Sequence, residues 1–211
     1  MATSSLLTTQ TYLKVLEMPG SSLWLLPPSD HALNSILPRL IQETSSRFHS
    51  PHSFLPHVTL TSDISPSTYS SDPQAWLNSL RLPSGNDVQV KFEKLASEDV
   101  FVRKLYIKCT NTDGLKKLAG VCRQGVNGFG EKEKAMEWAN AKYHPHLSLL
   151  YHDCALVDAE GISEVERLAQ KASVDLSGEG DLGGWVGGTI ALVQTDKPVV
   201  QWAPIAEVVL R

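Results

Sequence analysis

The sequence predicts an α+β fold in which strands pair through hairpins and helices lie to one side. Three observations lead to this prediction. Alternating β-branched and aromatic segments joined by short polar links are typical of antiparallel hairpins. Amphipathic segments between them are typical of helices. The order of strand, helix and hairpin occurs twice, and a five-residue motif recurs in the second half, which indicates internal pseudo-symmetry.

In the first half, SLWLLPP (residues 22–28) predicts a buried strand that ends at two prolines. Asp30 is a candidate N-cap for an amphipathic helix over residues 31–41, in which Pro38 predicts a kink or a break. HVTLTSDI (57–64) alternates as a strand does. Asp72 and Pro73 then have the residue types of a helix N-cap and first position.

The clearest hairpin of the chain joins DVQVKFEKL (87–95) to DVFVRKLYIKC (99–109) across a short polar link. Two helical segments follow, over 113–126 and 131–143. HPHLSLLYH (144–152) is a predicted strand, and the Ser163-to-Glu166 spacing predicts a capping box for a helix over 163–172. WVGGTIALVQT (185–195) and VQWAPIAEVVL (200–210) are expected to form a second hairpin.

Composition restricts the function classes. With 42% hydrophobic residues and a formal net charge of −4, the 211-residue chain is typical of a globular protein without a field that attracts long nucleic acid. No apolar run is long enough to span a bilayer. Three cysteines without metal-type spacing indicate reduced thiols, and residues 1–21 are expected to be disordered, without an export signal. We expect a cytoplasmic monomer; attachment to the surface of an internal membrane such as the Golgi stays open.

The repeated motif carries the chemistry. Pro56-His57-Val58-Thr59-Leu60 matches Pro145-His146-Leu147-Ser148-Leu149 position by position. Side chains two residues apart share one face of a strand, so each copy presents an imidazole beside a hydroxyl. Hydrolysis of a phosphate ester by in-line displacement needs a base on one side of phosphorus and an acid on the other. Two such strands facing each other across a cleft would supply both, because the pKa of histidine lies near neutrality.

These residues resemble the two-histidine (2H) phosphoesterase superfamily, whose signature is a His-x-Thr/Ser motif in each half of a bilobal fold. SLWLLPP, LPHVTL, HPHLSLLY and GWVGGTIALVQT resemble the cyclic nucleotide phosphodiesterases of fungi and plants, from about Ser22 to the C terminus. The resemblance implies one bilobal domain over 22–211, with two antiparallel sheets lining a central cleft and helices outside, as in RNA ligase-like folds. It also implies hydrolysis of 2′,3′-cyclic nucleotides to 2′-phosphates and of ADP-ribose 1″,2″-cyclic phosphate, a by-product of tRNA splicing.

By the same resemblance, no metal ion or cofactor is expected, His57 and His146 are catalytic, and Thr59 and Ser148 hold the non-bridging oxygens. We assign water activation to His146 and protonation of the departing 3′ oxygen to His57, although the sequence fits the reverse equally well. Tyr151 is a candidate substrate-binding residue. Its odd offset from His146 requires the strand to end or bulge near Leu150.

Trp185, between glycines in GGWVGG, is a second candidate substrate-binding residue that would stack on the base. Two other functions fit the same motif: a binding module that holds a nucleotide or an RNA 3′ end without turnover, and an enzyme that processes RNA ends. The net charge of −4 favours a small-molecule cyclic phosphate over long RNA.

Overall fold

The computed structural model describes residues 20–211, so most of the N-terminal segment for which we predicted disorder lies outside the described residues. Gly20 and Ser21 are described, and the first strand begins at Ser21, one residue before the expected start of the domain. The described residues form eight strands and six helices. The strands are β1 Ser21–Leu26, β2 Val58–Ile64, β3 Gln89–Ala96, β4 Leu105–Cys109, β5 His146–Leu150, β6 Gly184–Val186, β7 Thr189–Gln194 and β8 Pro204–Val209.

The α+β class and its antiparallel pairing are confirmed. The strands form one sheet in the order β6-β3-β4-β5-β2-β1-β7-β8. The two sheets that we expected are the two halves of this order, four strands each. They meet at a single bridge between Val58 of β2 and Leu147 of β5. The two motif strands therefore lie side by side at the centre of one sheet.

The predicted C-terminal hairpin is formed by β7 and β8, but its first segment is split in two. β6 pairs with β3 in one half of the sheet, whereas β7 pairs with β1 and β8 in the other half. Gly187 and Gly188 lie between them with φ of 71° and 121°, a region of backbone space that favours glycine. This turn sends the chain from one half of the sheet to the other.

Six helices cover the sheet: α1 Leu33–Arg47, α2 Pro66–Tyr69, α3 Pro73–Ser79, α4 Asp113–Arg123, α5 Lys132–Ala141 and α6 Ala159–Lys171. α1 follows β1 along the chain but packs on β5, and α4 follows β4 but packs on β2. Each motif strand is thus covered by a helix from the other half. The alternate residues Val58 and Leu147, fully buried, face this helical layer as part of one continuous core.

The predicted helix starts have mixed outcomes. Asp72 caps α3 by accepting a hydrogen bond from the Ala75 amide at 2.8 Å, as predicted. The prediction that Asp30 caps α1 is wrong, because α1 begins at Leu33 and the His31 ring nitrogen accepts from the Leu33 amide instead. The capping box at Ser163 is also wrong: α6 begins four residues earlier, where Asp158 caps it. Among residues 20–211, no helix is long and apolar enough to cross a membrane.

Candidate active site

The two motif strands bring both histidines and both hydroxyls into one cleft. Because Val58 pairs with Leu147 in antiparallel register, the neighbouring positions place His57 across from Ser148, and Thr59 across from His146. Directly opposed residues of such strands have Cβ atoms about 5 Å apart. All four side chains line the same small cavity, of about 30 Å³. Each imidazole therefore lies beside the hydroxyl of the other motif.

A backbone carbonyl orients each imidazole. His57 Nδ1 is 2.6 Å from the Leu55 carbonyl oxygen, and His146 Nδ1 is 2.9 Å from the His144 carbonyl oxygen. In both motifs the carbonyl belongs to the residue before the proline, which proline restricts to extended backbone. With Nδ1–H donating to the carbonyl, Nε2 carries the free lone pair. The proline of each motif thus helps to direct a basic nitrogen away from its own strand.

His57 lies in an enclosed aromatic environment. Trp24 stacks on it with the ring centroids 3.7 Å apart and the planes 8° from parallel, and Phe54 contacts it edge-on. Burial lowers the pKa of His57 to about 3, outweighing the opposite effect of its hydrogen bond to Leu55. At neutral pH the His57 imidazole is therefore uncharged in the unliganded protein.

His146 has a more open and more polar environment. The Tyr106 ring meets it edge-on at 5.3 Å between centroids, and Arg103 and Glu98 act on its charge in opposite directions. Burial also lowers the pKa of His146, and the hydrogen bond to the His144 carbonyl opposes that shift. The two imidazoles thus make the same kind of backbone hydrogen bond but differ in their enclosure and in the charges around them.

The two hydroxyls differ as well. Ser148 Oγ donates a hydrogen bond of 2.7 Å to the Val102 carbonyl oxygen, in the 3-10 turn Phe101–Arg103. Ser148 must exchange this partner to donate to a ligand oxygen, because a serine hydroxyl carries a single proton. Thr59 is half-buried and lines the same cleft from the other motif strand.

Tyr151 lies at the site through its hydroxyl. β5 ends at Leu150, as the odd spacing between His146 and Tyr151 requires. The Tyr151 hydroxyl oxygen is 3.5 Å from His57 Nε2. The ring stacks on Phe54 with the centroids 3.7 Å apart and is 3% exposed. Its hydroxyl, rather than a free ring face, is therefore the group that Tyr151 offers to a ligand.

The structure places Trp185, which we expected to stack on a base, outside the cleft that holds the two histidines. Trp185 belongs to β6, which is separated from β5 by β3 and β4, a distance of roughly 14 Å at the usual strand spacing. Its ring is 3% exposed and meets Phe92 edge-on. Trp185 thus lies on the edge strand of the half that contains His146, three strands away from it.

Comparison with known proteins agrees with this geometry. Residues 18–210 match the family model described as "Cyclic phosphodiesterase-like protein". The chain belongs to this family. A relative from Phaeosphaeria nodorum is 65% identical, with 90% of this chain and 98% of the relative covered, and one from Neurospora crassa is 41% identical, with 92% and 100% covered. Both are named 2′,3′-cyclic-nucleotide 3′-phosphodiesterase.

In this member of the cyclic phosphodiesterase-like family, other side chains complete the cleft that the motifs predicted. Trp24 and Trp202 form an aromatic wall, and Ser22 and Thr195 hydrogen-bond each other at 2.9 Å beside it. No sequence pattern predicts which face of β1 lines the cleft, because its residues 21–25 are all buried and show no alternation. Within residues 20–211, no group of three or more His, Cys, Asp or Glu side chains is arranged to hold a metal ion.

Proposed function

We propose that this protein hydrolyses 2′,3′-cyclic nucleotides to nucleoside 2′-phosphates through His57 and His146, without a metal ion. One observation carries the proposal: two histidines, each held at Nδ1 by a backbone carbonyl, share a cleft with Thr59 and Ser148 at the junction of two matching strands. The names of the fungal relatives support the same reaction.

The reaction needs one proton removed and one supplied. One imidazole takes a proton from water, whose oxygen attacks phosphorus, while the other donates a proton to the 3′ oxygen as its bond to phosphorus breaks. Water is consumed, and the products are a 2′-phosphate and a free 3′-hydroxyl. We assign hydrogen bonds to the non-bridging oxygens, where negative charge increases in the transition state, to the hydroxyls of Thr59, Ser148 and Tyr151. To donate there, Ser148 gives up its bond to the Val102 carbonyl, and Tyr151 its contact with His57.

The environments of the two histidines bear on their roles. His57 is enclosed and resists protonation, whereas His146 is half-buried, with the charges of Arg103 and Glu98 acting on its pKa in opposite directions. This contrast favours His57 as the base and His146 as the acid, the reverse of the assignment made from the resemblance. A substrate with sulfur in place of the 3′ oxygen decides between them, because a thiolate leaves without protonation. Replacing the acid by alanine should slow the oxygen substrate far more than the sulfur substrate, whereas replacing the base should slow both.

ADP-ribose 1″,2″-cyclic phosphate is a second proposed substrate, which would place the enzyme downstream of tRNA splicing. It presents the same reacting group as a cyclic nucleotide, a five-membered cyclic phosphate on a ribose. The cleft that holds the cyclic phosphate therefore needs no additional catalytic group for it. One chain supplies both histidines and both hydroxyls of the cleft. We further propose that the protein acts as a monomer.

The test is incubation with each 2′,3′-cyclic mononucleotide in excess EDTA, followed by phosphorus NMR of the product. We expect a 2′-phosphate, formed at a rate that falls by about 10²-fold or more in His57→Ala and in His146→Ala, the usual contribution of acid–base catalysis. His49→Asn, at an exposed histidine outside the cleft, is the matched control. Full activity in either alanine variant would refute the mechanism, and unchanged substrate with folded wild-type protein would indicate the non-catalytic binding module.

A further inference from the structure

A second, larger cavity adjoins the reaction cleft at His146. It has a volume of about 400 Å³, against about 30 Å³ for the cleft itself. Its walls come from β3, β4, the turn between them, Asn111 and residues 144–146, and we refer to it as the β3–β4 groove. The side chains that matter below are Glu93, Glu98, Arg103, Tyr106 and Lys108. Because the cleft has little room beyond the reacting phosphate, most of a nucleotide must lie elsewhere, and this groove is contiguous with the cleft.

The groove contains two ion pairs and no net charge. Arg103 Nη2 is 2.8 Å from Glu98 Oε2, and Lys108 Nζ is 2.7 Å from Glu93 Oε2. The Tyr106 hydroxyl donates to Glu98 Oε1 at 2.6 Å, which fixes that carboxylate from a second side. Each group keeps spare capacity, since a guanidinium has five N–H donors and a carboxylate accepts about four hydrogen bonds. All four charged side chains are between 31% and 51% exposed, so a ligand can reach them.

This arrangement fits a neutral ligand with donors and acceptors on adjacent edges. A phosphate in the groove would lie against two carboxylates, which makes a second anionic group a poor fit. A nucleobase has no charge and presents donors and acceptors in fixed positions. Guanine offers two neighbouring acceptors, O6 and N7, to an arginine or lysine. Its N1–H and N2–H₂ donors lie side by side and match the two oxygens of one carboxylate.

The distance from the reacting group also fits a base. Lys108 of β4 pairs with His146, and Tyr106 pairs with Ser148, so the groove begins one strand away from the catalytic motif. Two strand spacings, about 10 Å, separate β5 from β3. The base and the cyclic phosphate are attached to the same ribose, so a nucleotide can span from the cleft into the groove.

We propose that the β3–β4 groove is the base-binding subsite and that it selects guanine, with Glu98 accepting from N1–H and N2–H₂ and Arg103 donating to O6 or N7. This inference rests on the proposed function, since it assumes that the cyclic phosphate lies between the histidines. It makes Glu98 and Arg103 specificity-determining residues for 2′,3′-cyclic GMP over the other three cyclic mononucleotides.

The experiment is competition among the four 2′,3′-cyclic mononucleotides in one reaction, which gives ratios of kcat/KM. Such ratios cancel changes in the folded fraction and changes in the chemical step at His146 that affect all substrates alike. The wild-type protein is expected to prefer cyclic GMP over cyclic UMP by about tenfold, the typical discrimination of one good bidentate contact. Glu98→Gln and Arg103→Met, tested separately, should each remove most of that preference while cyclic UMP is still hydrolysed.

Glu164→Gln is the matched control, because Glu164 forms a similar ion pair with Arg47 between α6 and α1, outside the cleft. It should keep the wild-type ratios. A wild-type protein that hydrolyses all four substrates without preferring guanine would overturn the inference and leave the proposed function standing. So would a guanine preference that survives both substitutions. Absence of turnover for every substrate would instead contradict the proposed function itself.

Discussion

Enclosure of His57 has a consequence for stability as well as for chemistry. A stacked indole and burial exclude water from the imidazole, so its charged form is disfavoured in the fold. In the unfolded chain the same side chain is hydrated and takes up a proton near the ordinary histidine pKa of 6.5. Folding at mildly acidic pH must therefore remove a proton from His57.

We predict that His57 makes the protein lose stability as the pH falls below about 6.5. Between that value and its folded pKa of about 3, the unfolded state binds a proton that the native state does not. The free energy of unfolding then falls by about 1.4 kcal/mol per pH unit, which is roughly 2 kcal/mol at pH 5. Above about pH 6.5 the contribution of His57 to stability is complete. Urea unfolding at pH 7.5, 6 and 5 should show a shallower decline in His57→Gln than in the wild type.

The control for this measurement is His49→Asn, because the His49 side chain is exposed and lies outside the cleft. Comparing slopes rather than absolute stabilities removes the cost of the buried substitution itself. Parallel curves for His57→Gln and the wild type would mean that burial does not shift the pKa of this imidazole.

At the scale of single residues, the sequence predicted the positions of side chains best where the same motif occurs twice. The paired motifs placed His57, Thr59, His146 and Ser148 correctly on one face of each strand, because period-two alternation leaves no other choice. Tyr151 could be placed beside them only by requiring β5 to end at Leu150. Trp24 could not be placed in the cleft, because β1 is buried on both faces and its sequence has no alternation that identifies a face. Trp185 could not be placed either, because no residue spacing predicts that the chain passes from one half of the sheet to the other between β6 and β7.

At the scale of elements, the arrangement of β2 and β5 decides how the site is built. We expected strands facing each other across a cleft, and the structure has them paired within one sheet. Because the two strands are antiparallel neighbours and carry equivalent motifs, the histidine of each motif lies opposite the hydroxyl residue of the other motif. Hairpins were predictable because their pairing is local, whereas the β2–β5 bridge joins residues far apart in sequence, which no local pattern encodes.

The turn between β6 and β7 has a tightly constrained backbone. Gly188 has φ of 121°, and a Cβ there would come within 2.2 Å of the Leu26 carbonyl oxygen. We predict that Gly188→Ala lowers the free energy of unfolding by about 2–3 kcal/mol, combining backbone strain of about 1–3 kcal/mol with the contact. Urea denaturation midpoints measure it.

Gly130→Ala is the matched comparison, because within residues 20–211 no atom beyond the chain neighbours of Gly130 lies within 4 Å of the added Cβ, and the backbone there is not left-handed. Its unfolding free energy should stay within about 0.5 kcal/mol of the wild type. Equal effects of the two substitutions would show that the turn has no special requirement for glycine.

At the scale of the whole molecule, the two halves of the sheet share one hydrophobic core. The buried cluster runs from Leu23 and Leu25 in one half through Val58 and Leu147 to Phe92 in the other. α1 and α4 strengthen this connection, since each packs on the motif strand of the opposite half. The internal repeat predicted the pseudo-symmetry, but this crossed packing depends on tertiary contacts that hydrophobic periodicity alone does not specify.

From this packing we predict that residues 22–211 unfold as one cooperative domain, despite the single bridge between the halves of the sheet. Separating the halves would expose the buried faces of β2 and β5, so a state with one half folded gains little over the unfolded chain. Far-UV circular dichroism should give one urea midpoint, and so should the fluorescence of the five tryptophans, which include Trp24 and Trp202 in one half and Trp185 in the other. Gly188→Ala should shift both signals by the same amount. Two separated midpoints, or a shift in only one signal, would show that the lobes are independent folding units.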